Sequence, residues 1–145
     1  MTLRRCAAGV ALACAAASLS ACTEVESSSS EGYHPASLTA IEGSDIQLVT
    51  FTAEGARRAG LRTALVRRRG GHEVVPYAAL LYDGEGRPWV YRTAGKLSFV
   101  RTPVRVDRIA GGRVLLARGP RPGSRVVTQG ATEVYGAELD IAGDH

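Results

Sequence analysis

Short strand-like runs separated by glycine turns constrain the fold of this chain more than any other feature. Apolar and β-branched residues fill runs such as 46–51, 61–66 and 125–128. Glycine-rich breaks separate such runs, among them Gly70-Gly71 and the Gly/Pro loop 119–123. Short strands at roughly even spacing with glycine turns are typical of a small barrel or a rolled sheet. The sequence therefore predicts a mainly β fold, a small β-barrel or rolled antiparallel sheet with one short α-helix.

Residues 73–92, EVVPYAALLYDGEGRPWVYR, form the expected packed centre of that fold. Two strand-forming runs flank the turn Asp83-Gly84-Glu85-Gly86, which is the pattern of a β-hairpin. The only tryptophan, Trp89, and three of the five tyrosines lie in this stretch. Aromatic residues on paired strands usually build a core or a cross-strand ladder, and a ligand groove is the less frequent alternative.

Local signals place the other elements. Thr52 is a candidate N-cap for a two-turn helix at 53–59, and Gly60 can end that helix in the left-handed conformation. Pro103 demotes its run to an edge strand or marks a bend. The arginine and glycine run 67–71 is expected to break a strand, and residues 132–135 to form a helical turn.

The first residues have the pattern of an export signal. A basic start and a short alanine-rich apolar run precede Leu19-Ser20-Ala21-Cys22, as in a secretory signal peptide. A cysteine directly after Leu-Ser-Ala resembles the bacterial lipobox, which implies cleavage between Ala21 and Cys22 and diacylation of the Cys22 thiol. The alternative is an ordinary signal peptide in which Cys22 is incidental. Two acyl chains would hold the protein on the extracytoplasmic side of the cell membrane.

Composition divides the chain into four parts. We expect a lipoprotein signal peptide at 1–21, a flexible Ser/Glu-rich tether at 22–36, a single β-rich domain at 37–141 and a tail at 142–145. The tether holds too little apolar surface to fold. After cleavage only Cys22 remains of the three cysteines, so the exported chain cannot form a disulfide framework.

The net charge of +4 conceals an uneven distribution. No basic residue lies between Cys22 and Glu54, whereas sixteen of the 18 basic residues lie between Arg57 and Arg125. Such a field could attract lipid headgroups or anionic wall polymers, or it could be an ordinary solvated surface. An exported protein does not meet nucleic acid, so we expect no nucleic-acid partner.

The sequence offers no catalytic constellation. His34, His72 and His145 are isolated from one another, and none has a second ligand at metal-binding spacing. The carboxylates of the body fall mostly at turns, and no serine has a Gly-x-Ser-x-Gly setting. We therefore expect a non-enzymatic protein with no metal and no cofactor.

The order of several phrases resembles the periplasmic adaptor subunits, or membrane fusion proteins, of resistance-nodulation-division efflux pumps. The resemblance covers 46–138 and rests on VTFT and AGLRTALV, then VVPYAALLYDGEGRPWVY, then VRV and GPRPGSRVVTQGA. Its most informative residues are Val75-Pro76 with Ala78 or Ala79, the stretch 83–90, and 122–127 with Gly130. In the family these phrases belong to the membrane-proximal domain, a β-rich unit that contacts the pump.

The chain departs from the family in what lies between the two ends of that domain. A full adaptor places a β-barrel, a lipoyl-like domain and an α-helical hairpin there, whereas only residues 67–73 intervene in this chain. The chain also has no heptad pattern and no pair of long helices. The resemblance therefore implies contact with a pump, without the parts that reach an outer-membrane channel.

These observations predict a membrane-anchored, extracytoplasmic lipoprotein that serves a membrane efflux system as a non-enzymatic adaptor domain. Its expected partners are membrane lipid, through Cys22, and a membrane transporter. The alternative is a small β-module that binds an anionic wall polymer or another ligand. The predicted docking surface lies in the arginine-bearing strand region and consists of Arg87, Trp89, Tyr91, Arg92, Arg101 and Arg105.

Overall fold

The computed structural model describes residues 34–142, and the side chains only as far as residue 139. Within that range the chain forms eleven strands, two α-helices and one 3-10 helix at Tyr77–Ala79. The strands are β1 (Ala36–Ala40), β2 (Gln47–Phe51), β3 (Arg62–Leu65), β4 (Arg67–Arg69), β5 (His72–Pro76), β6 (Leu81–Tyr82), β7 (Pro88–Thr93), β8 (Ser98–Pro103), β9 (Arg105–Ala110), β10 (Arg113–Arg118) and β11 (Arg125–Gln129). The helices are α1 (Ala53–Arg58) and α2 (Ala131–Ala142). The predicted signal peptide at 1–21, the predicted acylation site Cys22 and the part of the predicted tether up to residue 33 lie outside the described residues.

The strands form two antiparallel sheets, which confirms the predicted mainly β class. The larger sheet has the order β1-β2-β8-β7-β11-β3, with β6 added to β7. The smaller sheet has the order β4-β5-β10-β9. Every strand pair in both sheets is antiparallel.

The larger sheet lies between the helices and the smaller sheet. Successive side chains of a strand point to opposite faces, so on β7 Trp89 and Tyr91 face one side and Val90 faces the other. Trp89 and Tyr91 belong to a buried cluster that includes Ala56 of α1 and Val134 of α2. Val90 belongs to a second cluster, which includes Val75 and Val114 of the smaller sheet. Both faces of the larger sheet are therefore packed.

The start of α1 follows its local signals. The Thr52 side chain accepts a hydrogen bond of 2.9 Å from the backbone N–H of Gly55, as an N-cap residue does. Gly60 has a φ of 61° just after the helix, where a residue with a Cβ atom would be strained. The predicted cap and stop are confirmed.

The predicted hairpin over 73–92 is only partly correct. The turn after Asp83 joins β6 to β7, with Leu81 opposite Trp89 and Tyr82 opposite Pro88. The first part of the stretch is β5, which belongs to the smaller sheet. The 3-10 helix at Tyr77–Ala79 redirects the chain between the sheets, and periodicity alone does not predict such a change of direction.

The arginine run at 67–71 does not break the strand pattern as predicted. Arg67–Arg69 form β4, and Arg68 pairs with Glu73 across a hairpin. Gly70 and Gly71 make its turn with φ angles of 55° and 84°, the two positive angles that a tight hairpin turn requires. Three exposed arginines are tolerated because β4 is an edge strand, where charged side chains discourage pairing with another chain.

The structure also tests the predictions for Pro103 and for the helical turn at 132–135. Pro103 marks a bend, since it ends β8 in the larger sheet and the chain then enters β9 in the smaller one. β8 itself lies between β2 and β7, so it is not an edge strand. The helical turn predicted at 132–135 is part of the 12-residue helix α2.

The packing around Gly55 decides whether Gly55→Ala raises or lowers the free energy of unfolding. A Cβ atom on Gly55 would lie 2.3 Å from the backbone oxygen of Pro35. Although alanine is the better helix former, we expect Gly55→Ala to lower the free energy of unfolding by about 2 kcal/mol, because the backbone must move to relieve the clash. Gly136→Ala in α2 is the control, since nothing lies within 4 Å of that position, and it should raise stability by about 1 kcal/mol. Urea unfolding measures both, and a stabilising Gly55→Ala would contradict the close approach of Pro35.

Candidate functional site

The turn between β6 and β7 holds the first residue of the predicted docking surface, Arg87. The Asp83 carboxylate accepts backbone hydrogen bonds from Glu85 at 3.0 Å and from Arg87 at 2.8 Å. The Arg87 Nε donates to the same carboxylate at 2.7 Å, and its Nη2 donates to Glu85. The Arg87 backbone bond is the main reason why the pKa of Asp83 is lowered, while the Asp83 carboxylate raises the pKa of Arg87. The turn therefore presents an exposed guanidinium in a fixed position.

Arg101 of β8 lies at the centre of a cluster that joins α2 to the larger sheet. Its Nη2 donates to Glu138 Oε2 at 3.0 Å, and the Tyr91 hydroxyl donates to the same oxygen. The Arg101 guanidinium carbon lies 4.6 Å from the ring centre of Trp89 and 5.0 Å from that of Tyr135. These are distances at which an aromatic face attracts a cation. We call these five residues the Arg101 cluster.

The two tyrosine contacts of Trp89 complete the packing of this cluster. The Trp89 ring meets Tyr91 edge-on with ring centres 4.7 Å apart, and it meets Tyr135 in a similar way at 5.4 Å. Trp89 and Tyr91 are 3% and 0% exposed, and Glu138 is 8% exposed. A carboxylate this deeply buried is stable only with cationic and hydrogen-bonding partners, which Arg101 and Tyr91 provide.

The protonation states in the cluster follow from these contacts. Burial raises the pKa of Tyr91, and the neighbouring Glu138 carboxylate raises it further. Burial opposes the charge on Arg101, but the hydrogen bond and the charge of Glu138 prevail and raise its pKa. At neutral pH Tyr91 is therefore neutral and Arg101 is a permanent cation, and both donate to Glu138. These contacts attach α2 to the larger sheet.

A pocket of about 450 Å³ opens beside the cluster, and we call it the Arg101 pocket. Trp89 and Arg101 contribute to its wall, and Arg87 with Asp83 comes from the turn. The other lining residues are Asp45, Ile46, Pro88 and Pro103. Its lining combines two arginines, two aspartates and apolar surface. Tyr82 lies opposite the lining residue Pro88 in the β6–β7 pair and is 49% exposed.

The structure brings together part of the predicted docking surface. Arg87, Trp89 and Arg101 line the Arg101 pocket. Arg92 alternates with Tyr91 and lies on the opposite face of β7, where its Nη1 donates to the Thr93 carbonyl at 3.2 Å. It lines a separate pocket of about 380 Å³ together with the loop at 119–121 and Ser124. The predicted surface is thus divided between two faces of the larger sheet.

The prediction that Trp89 and Tyr91 belong to an exposed docking surface is wrong. Trp89 and Tyr91 are buried, so neither offers appreciable contact area to a partner. Alternation along β7 directs both side chains towards α2, and a helix of that length was not expected from the sequence. Arg105 is exposed at the start of β9.

Sequence reasoning assigned no role to Glu138, and it placed Tyr135 only in the predicted helical turn at 132–135. The helical spacing of Ala131, Val134, Tyr135 and Glu138 contains the signal, since positions i, i+3, i+4 and i+7 share one face. A carboxylate that continues an apolar face needs a buried cation. Arg101 of β8 is that cation, and only the sheet topology brings it into range.

The remaining sequence predictions concern metal binding and the processing site at Ala21 and Cys22. The side chains described at 34–139 include no group of three metal-ligating residues close enough to hold an ion. The predicted cleavage and acylation residues, Ala21 and Cys22, lie outside that range. No helix in the described range has the length and apolar character needed to cross a bilayer.

The raised pKa of Tyr91 predicts a loss of stability at alkaline pH. An unfolded tyrosine ionises near pH 10, whereas buried Tyr91 keeps its proton. Tyr91 makes its full contribution to the free energy of unfolding below about pH 10. Above that pH the free energy of unfolding falls by about 1.4 kcal/mol per pH unit, because the folded state keeps a proton that the unfolded state has lost.

Tyr91→Phe should remove this part of the slope in urea unfolding between about pH 10 and 11, since phenylalanine does not ionise. Tyr82→Phe is the matched control, because Tyr82 is half exposed, and it should leave the slope unchanged. Equal slopes for the wild type and Tyr91→Phe would contradict burial of a neutral hydroxyl.

No protein-family model matches this chain, and no curated protein matches it either.

Proposed function

We propose that this chain is a lipid-anchored, extracytoplasmic adaptor domain that docks on a membrane export transporter without catalysing a reaction. Cys22 is the proposed anchor, and the β-rich body is the docking module. The resemblance to membrane-proximal adaptor domains motivates the proposal, and the arrangement of the strands that carry this resemblance supports it.

The supporting observation is the pairing of the two stretches that the resemblance assigns to opposite ends of a full adaptor. β3 belongs to the first stretch and pairs with β11 of the last one, with Thr63 opposite Val127. β2 also belongs to the first stretch and pairs with β8, with Val49 opposite Phe99. The two stretches share one sheet and one buried cluster, as expected of two halves of a single domain.

The hairpin between the two stretches supports a domain that is complete without an insertion. A full adaptor inserts its other domains at the position of residues 67–73. In this chain β4 and β5 pair directly, with Arg69 opposite His72 across Gly70-Gly71. A two-residue hairpin turn joins neighbouring strands without strain. The long insertion is thus not needed to bring the two stretches together.

The proposed docking surface centres on the rim of the Arg101 pocket. Arg87 is held in place by Asp83, and Tyr82 exposes half of its aromatic surface. Arginine and tyrosine are enriched where proteins bind one another, because each combines a large contact area with directional hydrogen bonds. The Arg101 cluster behind the pocket keeps its wall rigid, which lowers the entropy cost of docking.

Affinity purification from membranes tests the proposal. The tagged full-length chain should recover a multi-spanning transporter after mild crosslinking in its own host. Cys22→Ala should release the chain from the membrane fraction or leave its signal unprocessed. Recovery of no membrane transporter from the wild-type chain would contradict the proposal.

A matched pair of variants localises the docking surface. Tyr82→Ala with Arg87→Glu removes one exposed aromatic side chain and reverses one charge at the rim of the Arg101 pocket, so it should lower transporter recovery. Tyr77→Ala with Arg108→Glu makes the same chemical changes at positions that are also exposed, and it should not. Equal losses in both variants would contradict this location.

The alternative function, binding of an anionic wall polymer, has its own support in the exposed arginines of β4 and β10. Pull-down of the full chain on an anionic polymer would favour it if retention falls steeply with added salt, since salt screens exposed charges. Retention that does not change with salt would contradict it.

A further inference from the structure

The outward face of the smaller sheet carries arginines above a buried valine. Cross-strand partners share a face, and Arg67 lies opposite Val74, which in turn lies opposite Leu115. Arg113 lies opposite Pro76 and therefore belongs to the same face. The neighbouring residue Val75 faces the core instead. Val74 is nevertheless only 6% exposed, so this outward face contains a concave apolar site.

That concave site is a pocket of about 410 Å³ where the edge strand β3 meets the smaller sheet. Three arginines line it, one each from β4, β10 and β11: Arg67, Arg113 and Arg125. Its remaining lining comes from aliphatic residues and a proline. None of the described lining residues is acidic. We call it the three-arginine pocket.

One of the three guanidinium groups is already held in position. Arg125 Nε donates to the Thr63 hydroxyl at 2.7 Å, and its Nη2 donates to the Thr63 carbonyl at 3.0 Å. Arg67 and Arg113 are exposed and form no ion pair among the described residues. The nearest carboxylate in the β4–β5 register, Glu73, pairs with Arg68 and belongs to the inward face. Three like charges without a carboxylate favour an anion between them.

The apolar part of the pocket indicates that the bound anion also has a hydrocarbon part. Ala64, Val74 and Pro76 form aliphatic surface within the pocket, and Leu65 at its border is 42% exposed. A free inorganic anion or a heavily hydroxylated polymer would leave this surface without a matching group. A ligand with an anionic head and an attached hydrocarbon part covers both regions. Arginine suits the head because its planar group binds phosphate in bidentate fashion.

We propose that the three-arginine pocket binds the phosphate headgroup of an anionic phospholipid, with the glycerol and first acyl carbons against the aliphatic surface. The volume is within the range of small-molecule sites. The surrounding exposed arginines of β4 add attraction to an anionic membrane surface. This inference does not depend on a transporter, since the three-arginine pocket shares no lining residue with the Arg101 pocket.

Calorimetric titration of the full chain in a non-ionic detergent tests the inference, with dihexanoyl phosphatidylglycerol as the probe. We expect saturable binding that weakens with added salt, because screening reduces the attraction of the arginines. Arg67→Gln with Arg113→Gln should weaken binding by at least about tenfold, since both lost charges face the headgroup. Arg118→Gln with Arg121→Gln makes the same charge change at exposed positions outside the pocket and should stay within about twofold. Circular dichroism confirms that both variants are folded.

Further probes separate the lipid from its competitors. Dihexanoyl phosphatidylcholine should bind much more weakly, and equal binding would overturn the role of the arginines. Glycerol phosphate should also bind more weakly, and equal binding would overturn the role of the aliphatic surface. A poly(glycerol phosphate) chain that binds more tightly than the lipid, with the same loss in Arg67→Gln with Arg113→Gln, would overturn the lipid assignment in favour of a polymer.

Discussion

Trp89→Ala is expected to lower the free energy of unfolding by about 4 kcal/mol, which is typical when a buried tryptophan is truncated. Trp89 is 3% exposed and packs between Tyr91 and Tyr135. Its ring also supports the Arg101 guanidinium at 4.6 Å. The change would remove apolar contacts and the aromatic face that helps to hold a partly buried cation. Because many domains are stable by only about 5–15 kcal/mol, this loss should be large enough to populate unfolded protein at low urea.

Far-ultraviolet circular dichroism is the appropriate readout, since Trp89 is the only tryptophan and fluorescence is lost with it. Trp89→Phe is the matched control because it retains an aromatic face, and we expect it to cost less than half as much. A Trp89→Ala variant within about 1 kcal/mol of the wild type, the range of ordinary substitutions, would contradict a central role for this ring.

Glu138→Ala is expected to lower the free energy of unfolding by about 3 kcal/mol, because it leaves a buried cation without its partner. Glu138 Oε2 accepts from both Arg101 and Tyr91, so both donors lose their acceptor together. The loss should appear first as separation of α2 from the larger sheet. Trp89 fluorescence can follow this event, because the indole lies within the cluster that α2 covers.

Glu133→Ala on the same helix is the control, since Glu133 is exposed and should change stability by less than about 0.5 kcal/mol. The double substitution Arg101→Met with Glu138→Leu separates charge from packing. Replacing both partners of a buried ion pair by apolar groups often restores stability, so the double variant should be more stable than Glu138→Ala. A Glu138→Ala variant no less stable than Glu133→Ala would contradict the buried pair.

Much of the fold could be predicted because its determinants are local. Thr52 and Gly60 mark the ends of α1 by their own side chain and backbone preferences. Pro103 marks the bend that carries the chain from one sheet to the other. The assignment of β5 to the smaller sheet could not be read in this way, because it depends on which distant strand, β10, lies beside it. Local patterns predict strands better than they predict their partners.

The candidate site was less accessible to sequence reasoning for the same reason. Trp89 and Arg101 could be identified as unusual residues, but their burial depends on a helix more than thirty residues further along the chain. The sequence assigned no role to Glu138, because its contact with Arg101 of β8 depends on where α2 packs. The three-arginine pocket likewise collects Arg67, Arg113 and Arg125 from three separate strands. The density of basic residues along the chain indicated a basic surface. Only the order of the strands shows where these residues line a pocket.

Photocrosslinking in intact membranes can test whether the chain docks on a membrane transporter through the rim of the Arg101 pocket, as we propose. A benzoyl-phenylalanine in place of Tyr82 would lie on the proposed docking surface, whereas the same residue in place of Tyr77 would lie in the 3-10 helix that follows β5. Both tyrosines are about half exposed, so the two probes differ mainly in location. We expect an adduct between the Tyr82 probe and a multi-spanning transporter, and little or none from the Tyr77 probe. No transporter adduct from Tyr82, or an equal yield from both positions, would contradict it.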